Sequence, residues 1–377
     1  MRYYIIAGER SGDLHGGNLI KAIKHRDPKA EIRGFGGDYM KEAGANVVVH
    51  YKEMAFMGFV EILRNLGKIS RYIRDCKRDI LNFNPDVVIL IDYAGFNRRI
   101  ASFGKKNGIR IFYYITPKVW AWHQNRALQL KATVDRMFVI LPFEKDFFKK
   151  YNWDVDYVGN PVLDAVKSHV PDLQFRSHYK LQDSKPVIAL LPGSRQQELK
   201  SMIPILAEVV RKFPDYQFAV AAINNLDPAF YNEISALPNV VMVQEDTYNL
   251  LLNATAAIVT SGTATLETAL FKVPQTVVYK TSGMTYLIVK MVIRVPFISL
   301  VNLIANKQVI KELIQQTANP ESISNELKSL VTDSNYRNGI LNEYEAVYNA
   351  LNTGSASENA ARLIVEDLQV MSKLTIR

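Results

Sequence analysis

The sequence predicts an α/β protein built from two doubly wound, Rossmann-like halves whose mainly parallel sheets face a cleft. Three observations carry this expectation. Short apolar, β-branched runs alternate with helical stretches along most of the chain, the pattern of parallel strands covered on both faces. The alternation pauses at a polar segment from about His169 to Lys185, which carries Pro171 and is followed by Pro186, and then restarts. Each half also breaks an apolar run into a small-residue turn ahead of a helix. These turns are Gly8-Glu9-Arg10-Ser11-Gly12-Asp13 in the first half, and Gly193-Ser194-Arg195 and Ser261-Gly262-Thr263-Ala264-Thr265 in the second.

Taken in order, Tyr3-Ala7 reads as a strand, Leu14-Lys24 as a helix and Glu31-Gly34 as a short strand. A long amphipathic helix runs from Val60 to about Leu81. Val87-Ile91 is apolar throughout, as a strand buried on both faces must be. Arg98-Lys106, Ala127-Thr133 and Glu144-Lys150 read as helices, and Arg110-Tyr114, Arg136-Ile140 and Val155-Val158 as strands. The second half supplies strands at Val187-Leu191, Gln217-Ala221, Val240-Val243, Ala257-Val259 and Thr276-Tyr279, with helices at Gln197-Lys212 and Leu266-Phe271. Glu358-Val370 reads as a terminal helix able to pack back on the first domain. The expected boundaries are 1–168 for a first Rossmann-like domain, 169–186 for a linker, 187–350 for a second Rossmann-like domain and 351–377 for the terminal helix.

A chain of 377 residues is long enough for two full cores. Its 48% hydrophobic content is ordinary for a globular protein. The single cysteine, Cys76, excludes an internal disulfide framework and suits a reducing compartment. Six scattered histidines with no HxxxH spacing give no expected metal site. Arg2-Gly8 turns polar too early for a secretory signal, and no apolar run reaches the length of a membrane-spanning helix. The formal charge of +9 is compatible with nucleic acid, an anionic membrane surface or an acidic small ligand. No helix-turn-helix or RNA-binding signature is present, so no nucleic-acid partner is expected.

The turns carry the chemistry. Gly193-Ser194-Arg195 offers close backbone approach, exposed amides and a guanidinium, which together suit a phosphate; it also suits a plain helix cap. Ser261, Gly262 and Thr263 present hydroxyls and amides at the next such turn, either to phosphate or to one another. Glu267, in the following helical turn, either reaches a ribose diol or only stabilises a helix start. Asp92 closes the apolar strand Val87-Ile91, where partial burial would raise its pKa toward that of a useful base; the bland alternative is a helix cap. Glu9 and Asp13 are rival carboxylates, while His15 and His123 are weaker candidates. The GxxxG spacing of Gly8-Gly12 and its acids disfavour a bound dinucleotide, and GxxxxGK[ST] is absent, so no cofactor is expected.

The basic stretch Lys52-Arg78 begins with Met54-Ala55-Phe56-Met57-Gly58-Phe59-Val60. Exposed Phe56, Met57 and Phe59 ahead of a basic amphipathic helix would rest on anionic lipid. A helix with its charged side toward solvent is the other reading. The apolar stretch Tyr286-Val295 has the same two readings.

Beside these readings, the residues resemble a family. Gly8-Asp13, Pro117-Lys118-Val119-Trp120-Ala121-Trp122, Leu141-Pro142-Phe143-Glu144, Leu191-Arg195, Ser261-Glu267, Pro296-Ala305 and Glu312-Gln315 occur in the order and density found in lipid-A-disaccharide synthases. The similarity runs nearly end to end. Three positions depart from the family pattern: Ala94 where proline is usual, His123 where arginine is usual and Asn160 where histidine is usual.

The resemblance implies the two-domain GT-B fold and an inverting glycosyltransferase. Its donor would be UDP-2,3-diacylglucosamine and its acceptor 2,3-diacylglucosamine 1-phosphate (lipid X). The products would be the β-1,6-linked disaccharide 1-phosphate and UDP. The implied setting is the cytoplasmic face of the bacterial inner membrane, peripherally bound, with a homodimer among the family's arrangements. Asp92 would be the base and Arg195 would stabilise the departing UDP. Gly193, Ser194, Ser261, Gly262, Thr263, Glu267, Asn302 and Glu312 would contact the donor, and Glu9, Ser11, Asp13 and Asn97 the acceptor. The alternative is another GT-B nucleotide-sugar enzyme, an epimerase or a transferase, acting on a soluble sugar.

Overall fold

A computed structural model of the chain describes residues 1–54, 66–122, 124–224, 226–283, 286 and 295–375. The chain divides into two compact units, Met1–Pro161 with Thr353–Arg377, and Val162–Asn352.

In the first unit the described residues form seven parallel strands in the order β3-β2-β1-β4-β5-β6-β7. They are β1 (Arg2–Ala7), β2 (Glu31–Gly36), β3 (Asn46–His50), β4 (Val87–Ile91), β5 (Ile111–Tyr114), β6 (Arg136–Val139) and β7 (Asp156–Tyr157). The central strand β4 is buried along its whole length, as its Val-Val-Ile-Leu-Ile sequence requires. Strand order reverses between β1 and β4, so a crevice opens at their carboxyl ends. Gly8 to Asp13 follows β1 and Asp92 to Asn97 follows β4, which brings those two turns to that one place.

The second unit repeats the scheme in the order β10-β9-β8-β11-β12-β13. Its strands are β8 (Val187–Leu191), β9 (Gln217–Ala222), β10 (Val240–Gln244), β11 (Ala256–Thr260), β12 (Gln275–Tyr279) and β13 (Glu312–Ile314). Here the order reverses between β8 and β11, beside Gly193-Arg195 and Ser261-Thr263. The helix Gln196–Arg211 buries Leu199, Met202, Ile203, Leu206 and Val210, a stripe at helical spacing that packs on the sheet.

Two expected features take a different form. The segment 169–186 belongs to the second unit rather than separating two bodies. Phe175 is fully buried in that unit's core beside Leu181 and Val187, and His169 packs against Tyr248 and Phe271. Its polar composition conceals two apolar anchors that need a core. The short strands β3 and β13 are additions; β3 pairs only with β2, and β13 has three residues.

The terminal helix Ala356–Thr375 lies on helix Arg10–Arg26 within the first unit, and its Ala360, Ala361, Ile364 and Val365 join the core of β1 and β4. Arg136 fastens it, donating to the Leu363 carbonyl at 3.1 Å, while Arg110 pairs with Asp367 at 2.7 Å.

Helix Leu66–Phe83 buries Ile73, Cys76 and Ile80 and exposes Lys68, Arg71, Arg74 and Arg78, the amphipathic division read from the sequence. Phe56, Met57 and Phe59 lie outside the described residues, as does most of Tyr286-Val295. Among the described residues, no helix is long and apolar enough to cross a membrane.

Candidate functional site

Asp92 stands immediately after β4 with φ of 44°, and Tyr93 follows at 48°, so two consecutive non-glycine residues are left-handed. Such a pair is costly in backbone energy and marks a turn held by its surroundings. The ring of Tyr93 lies over Gly8, where any Cβ would sit 2.2 Å from it. The glycine after β1 is therefore required by the turn after β4. Burial, then the charge of Glu9, push the Asp92 carboxyl above its ordinary pKa, against a smaller opposing effect of Lys118. Asp92 thus combines partial burial, a like charge across the β1/β4 switch and a cation from the turn after β5.

The rival acid Asp13 is spent on structure. It is 1% exposed and accepts the backbone N–H groups of Gly37 at 2.6 Å, Met40 at 3.1 Å and Tyr39 at 3.1 Å. Those amides begin the helix Asp38–Glu42, so Asp13 caps a neighbouring helix. Asn97 serves as an internal brace: it is fully buried and its amide nitrogen donates to the carbonyls of Ile91 at 3.1 Å and Asp92 at 2.6 Å. Glu9 caps no amide with its side chain and is exposed, as is Ser11.

In the second unit Gly193 has φ of +112°, a conformation that favours glycine. The amides of Ser194 and Arg195, expected to receive phosphate, both donate to Glu198 Oε2, at 2.9 and 3.2 Å. Glu198 sits at the third helical position, the spacing of a capping box, and its carboxylate fills the anion position of this turn. The Arg195 side chain is 81% exposed and, among the described residues, is tied by a 3.3 Å contact to Glu198. Its guanidinium reaches into solvent.

At the β11 turn Ser261 is engaged, its hydroxyl donating to Ile298 at 2.9 Å and its amide to Val278 at 3.0 Å. Gly262 and Thr263 lead into helix Ala264–Leu270. Glu267 accepts the Tyr248 hydroxyl at 3.1 Å, and burial raises its pKa. The pair sits among Tyr248, Phe271 and His169.

Asn302 and Glu312, expected at the donor, hold each other and the loop around them. Asn302 is fully buried; its oxygen accepts Val309 and Ile310 amides and its nitrogen donates to Ile310 and Glu312. Glu312 accepts the amides of Ile298 at 2.9 Å and Ser299 at 2.9 Å, fixing the start of helix Leu300–Ala305. Together the two side chains organise the loop between β12 and β13.

The sequence reading gave no role to four residues that shape these turns: Tyr113, Glu144, Glu198 and Tyr248. Glu144 is fully buried, accepting Thr116 Oγ1 at 2.7 Å and the amides of Ile140 and Leu141, and so fixes the β5 and β6 turns together. Only Glu198 and Glu144 had a readable signal, a carboxylate three residues into a helix that follows a strand.

Comparisons with known proteins agree with this geometry. The lipid-A-disaccharide synthetase family matches residues 3–365. A lipid-A-disaccharide synthase of Syntrophus aciditrophicus is 39% identical over 364 residues, covering 95% of both chains. One from Coxiella burnetii is 35% identical, covering 96% of each. Among solved structures, UDP-GlcNAc 2-epimerase from Neisseria meningitidis, bound to UDP-GlcNAc, superposes with a TM-score of 0.69 at 15% identity, covering 98% of this chain and 100% of that one. The glycotransferase of kitacinnamycin gives 0.67 at 14%, with 97% and 98% covered. These structural likenesses establish the two-unit GT-B fold that the sequence predicts. With the family matched from residue 3 to residue 365 and relatives above one-third identity along almost their whole length, the chain belongs to the lipid-A-disaccharide synthetase family of glycosyltransferases.

Proposed function

We propose that the chain transfers a 2,3-diacylglucosamine unit from its UDP derivative to the 6-hydroxyl of 2,3-diacylglucosamine 1-phosphate, with inversion at the donor anomeric carbon. The products are the β-1,6-linked disaccharide 1-phosphate and UDP. Asp92 takes the proton from the attacking hydroxyl, an effect of roughly 10²–10⁴-fold for a positioned base. The acceptor oxygen forms its bond to the anomeric carbon as the bond to the UDP oxygen breaks, and negative charge gathers on the departing diphosphate. Arg195 meets that charge, with Gly193, Ser194, Gly262 and Thr263 lining the approach and Glu267 orienting the ribose. Glu9 and Ser11 seat the acceptor. The carrying observation is Asp92 itself, a partly buried carboxylate with a raised pKa at the β1/β4 switch of a family member. The enzyme works at the cytoplasmic face of the inner membrane, where its acylated substrates reside.

Turnover of the two acylated sugars by the unaltered chain and by Asp92→Asn tests the reading. Loss of disaccharide formation with UDP binding retained is the expected result. Retained turnover in Asp92→Asn removes it, and release of a free epimerised sugar would move the chain to the epimerase alternative.

A further inference from the structure

We propose that Tyr113 is a positioning residue for the acid–base site, its hydroxyl and the Asn97 amide together clamping the Asp92 carbonyl so that the Asp92 carboxylate stays at the reacting hydroxyl. The inference rests on the reading of Asp92 as base and extends it to a residue with no part in the site so far.

The left-handed pair Asp92-Tyr93 is the starting point. A left-handed conformation is unfavourable for any non-glycine residue, and aspartate tolerates it better than tyrosine does. Something outside the turn must therefore hold it. Tyr113 donates its hydroxyl to the Asp92 carbonyl at 2.5 Å, and Asn97 Nδ2 donates to the same oxygen at 2.6 Å. The Asp92 amide is fixed from the other side by the Ile115 carbonyl at 3.2 Å, and Tyr93 is fixed by its own hydroxyl on Met54 at 3.1 Å. The peptide joining Asp92 to Tyr93 is held by two donors that converge on one oxygen.

Tyr113 suits this task. It is fully buried on β5, paired in register with Leu90 of β4, so its ring has no freedom to leave. Burial raises its hydroxyl pKa further from neutrality, so it remains a donor at any working pH. Without that hydroxyl the carbonyl keeps only the Asn97 donor, and the left-handed peptide is free to rotate. The carboxylate, one bond system away, would then turn toward solvent. Displacement of a reacting group by about 1 Å costs as much as 10²-fold in rate.

Tyr113→Phe keeps the ring and removes the donor. Its kcat is expected to fall about 10- to 100-fold, with UDP affinity unchanged and the acidic limb of the pH–rate profile moving down toward the ordinary aspartate range. Tyr4→Phe is the control: Tyr4 is an equally buried tyrosine on β1 whose hydroxyl donates to Asp79 at 2.8 Å, away from Asp92. It should leave kcat and the pH profile in place. A Tyr113→Phe enzyme with the original kcat and profile overturns the inference, as does an equal kcat loss in Tyr4→Phe. If Tyr113→Phe yields no folded protein, Asn97→Ser removes the other donor and must give the same split between kcat and UDP affinity. Asp92→Asn run alongside separates the two claims. Its retained turnover would overturn the base assignment, whereas its loss beside an unaffected Tyr113→Phe would overturn only the clamp.

Discussion

At the scale of single residues, Asp92 sets function against stability. Its folded pKa is raised, first by burial and then by Glu9, so the folded protein holds this proton more tightly than the unfolded chain does. The contribution to stability is therefore full below the unfolded aspartate value and is lost as pH rises through the folded one. At neutral pH the ionised carboxylate is a net cost. Asparagine removes that cost and accepts left-handed backbone readily. Asp92→Asn should thus melt at a higher temperature at pH 7 while losing roughly 10²–10⁴-fold in turnover; thermal unfolding beside the turnover assay checks it, and a lower melting temperature would contradict the electrostatic account. Glu9→Gln tests the same coupling from outside. With one like charge gone, the Asp92 pKa falls, and the acidic limb of kcat/KM should move to lower pH. An unmoved limb would show that Glu9 does not act on Asp92.

At the scale of elements, three turns after strands use the carboxylates of Asp13, Glu144 and Glu198 to hold backbone amides, and the roles of these acids diverge. Asp13 satisfies three amides of a neighbouring helix. Asp13→Ala leaves those buried donors unpaired and should lower unfolding stability by at least about 1.5–3 kcal/mol, measured by urea titration, with Asp92 chemistry otherwise intact in the folded fraction. Glu198 instead occupies the amides of Ser194 and Arg195, at the turn proposed to meet the diphosphate. Glu198→Gln removes a negative charge beside Arg195, and UDP should bind roughly two- to fivefold more tightly, the scale of an exposed charge pair; calorimetric titration reads it, and weaker binding would mean that Glu198 orients Arg195 rather than competing with phosphate. These contrasts also explain what the sequence could carry. Val87-Ile91 and Val187-Leu191 announced themselves as central strands because burial on both faces permits only apolar residues. The places of Asp92 after β4, and of Arg195 and Glu267 at the helix starts that follow β8 and β11, were legible because the order of elements fixes them. The structural partners of Asp13, Asn97, Asn302 and Glu312 were not legible, because chain position says nothing of which group stands opposite. The partners of Asp13 lie more than twenty residues along, and those of Glu312 precede it. Phe175 and Leu181 were hidden for a related reason, as isolated apolar anchors in a polar run.

At the scale of the molecule, the two units have separate cores, and the chain's last helix belongs to the first. Ala360, Ile364, Val365 and Leu368 are buried with β1, β4 and the helix Arg10–Arg26, while the second unit's core is drawn from residues between Leu163 and Leu351. Arg136 reinforces the junction, bonding the Leu363 carbonyl and pairing with Asp156 at 2.7 Å and Asp367 at 3.7 Å. Truncation before Thr353 would strip this cover from the first core. Each buried leucine, isoleucine or valine uncovered costs about 1.5–3 kcal/mol, more in sum than a domain of this size commonly holds in reserve. The second unit loses nothing from its own core. A chain ending at Asn352 is therefore expected to unfold its first unit at or below room temperature while the second keeps a cooperative transition. UDP should raise that surviving transition and no other, by about 2.7 kcal/mol at a hundredfold excess over its dissociation constant. Calorimetry of the full and truncated chains, with and without UDP, reads all of this. A truncated chain that melts as one unit, or a UDP effect lost with the terminal helix, would mean that the nucleotide site draws on the first unit's fold rather than on β8 to β13 alone.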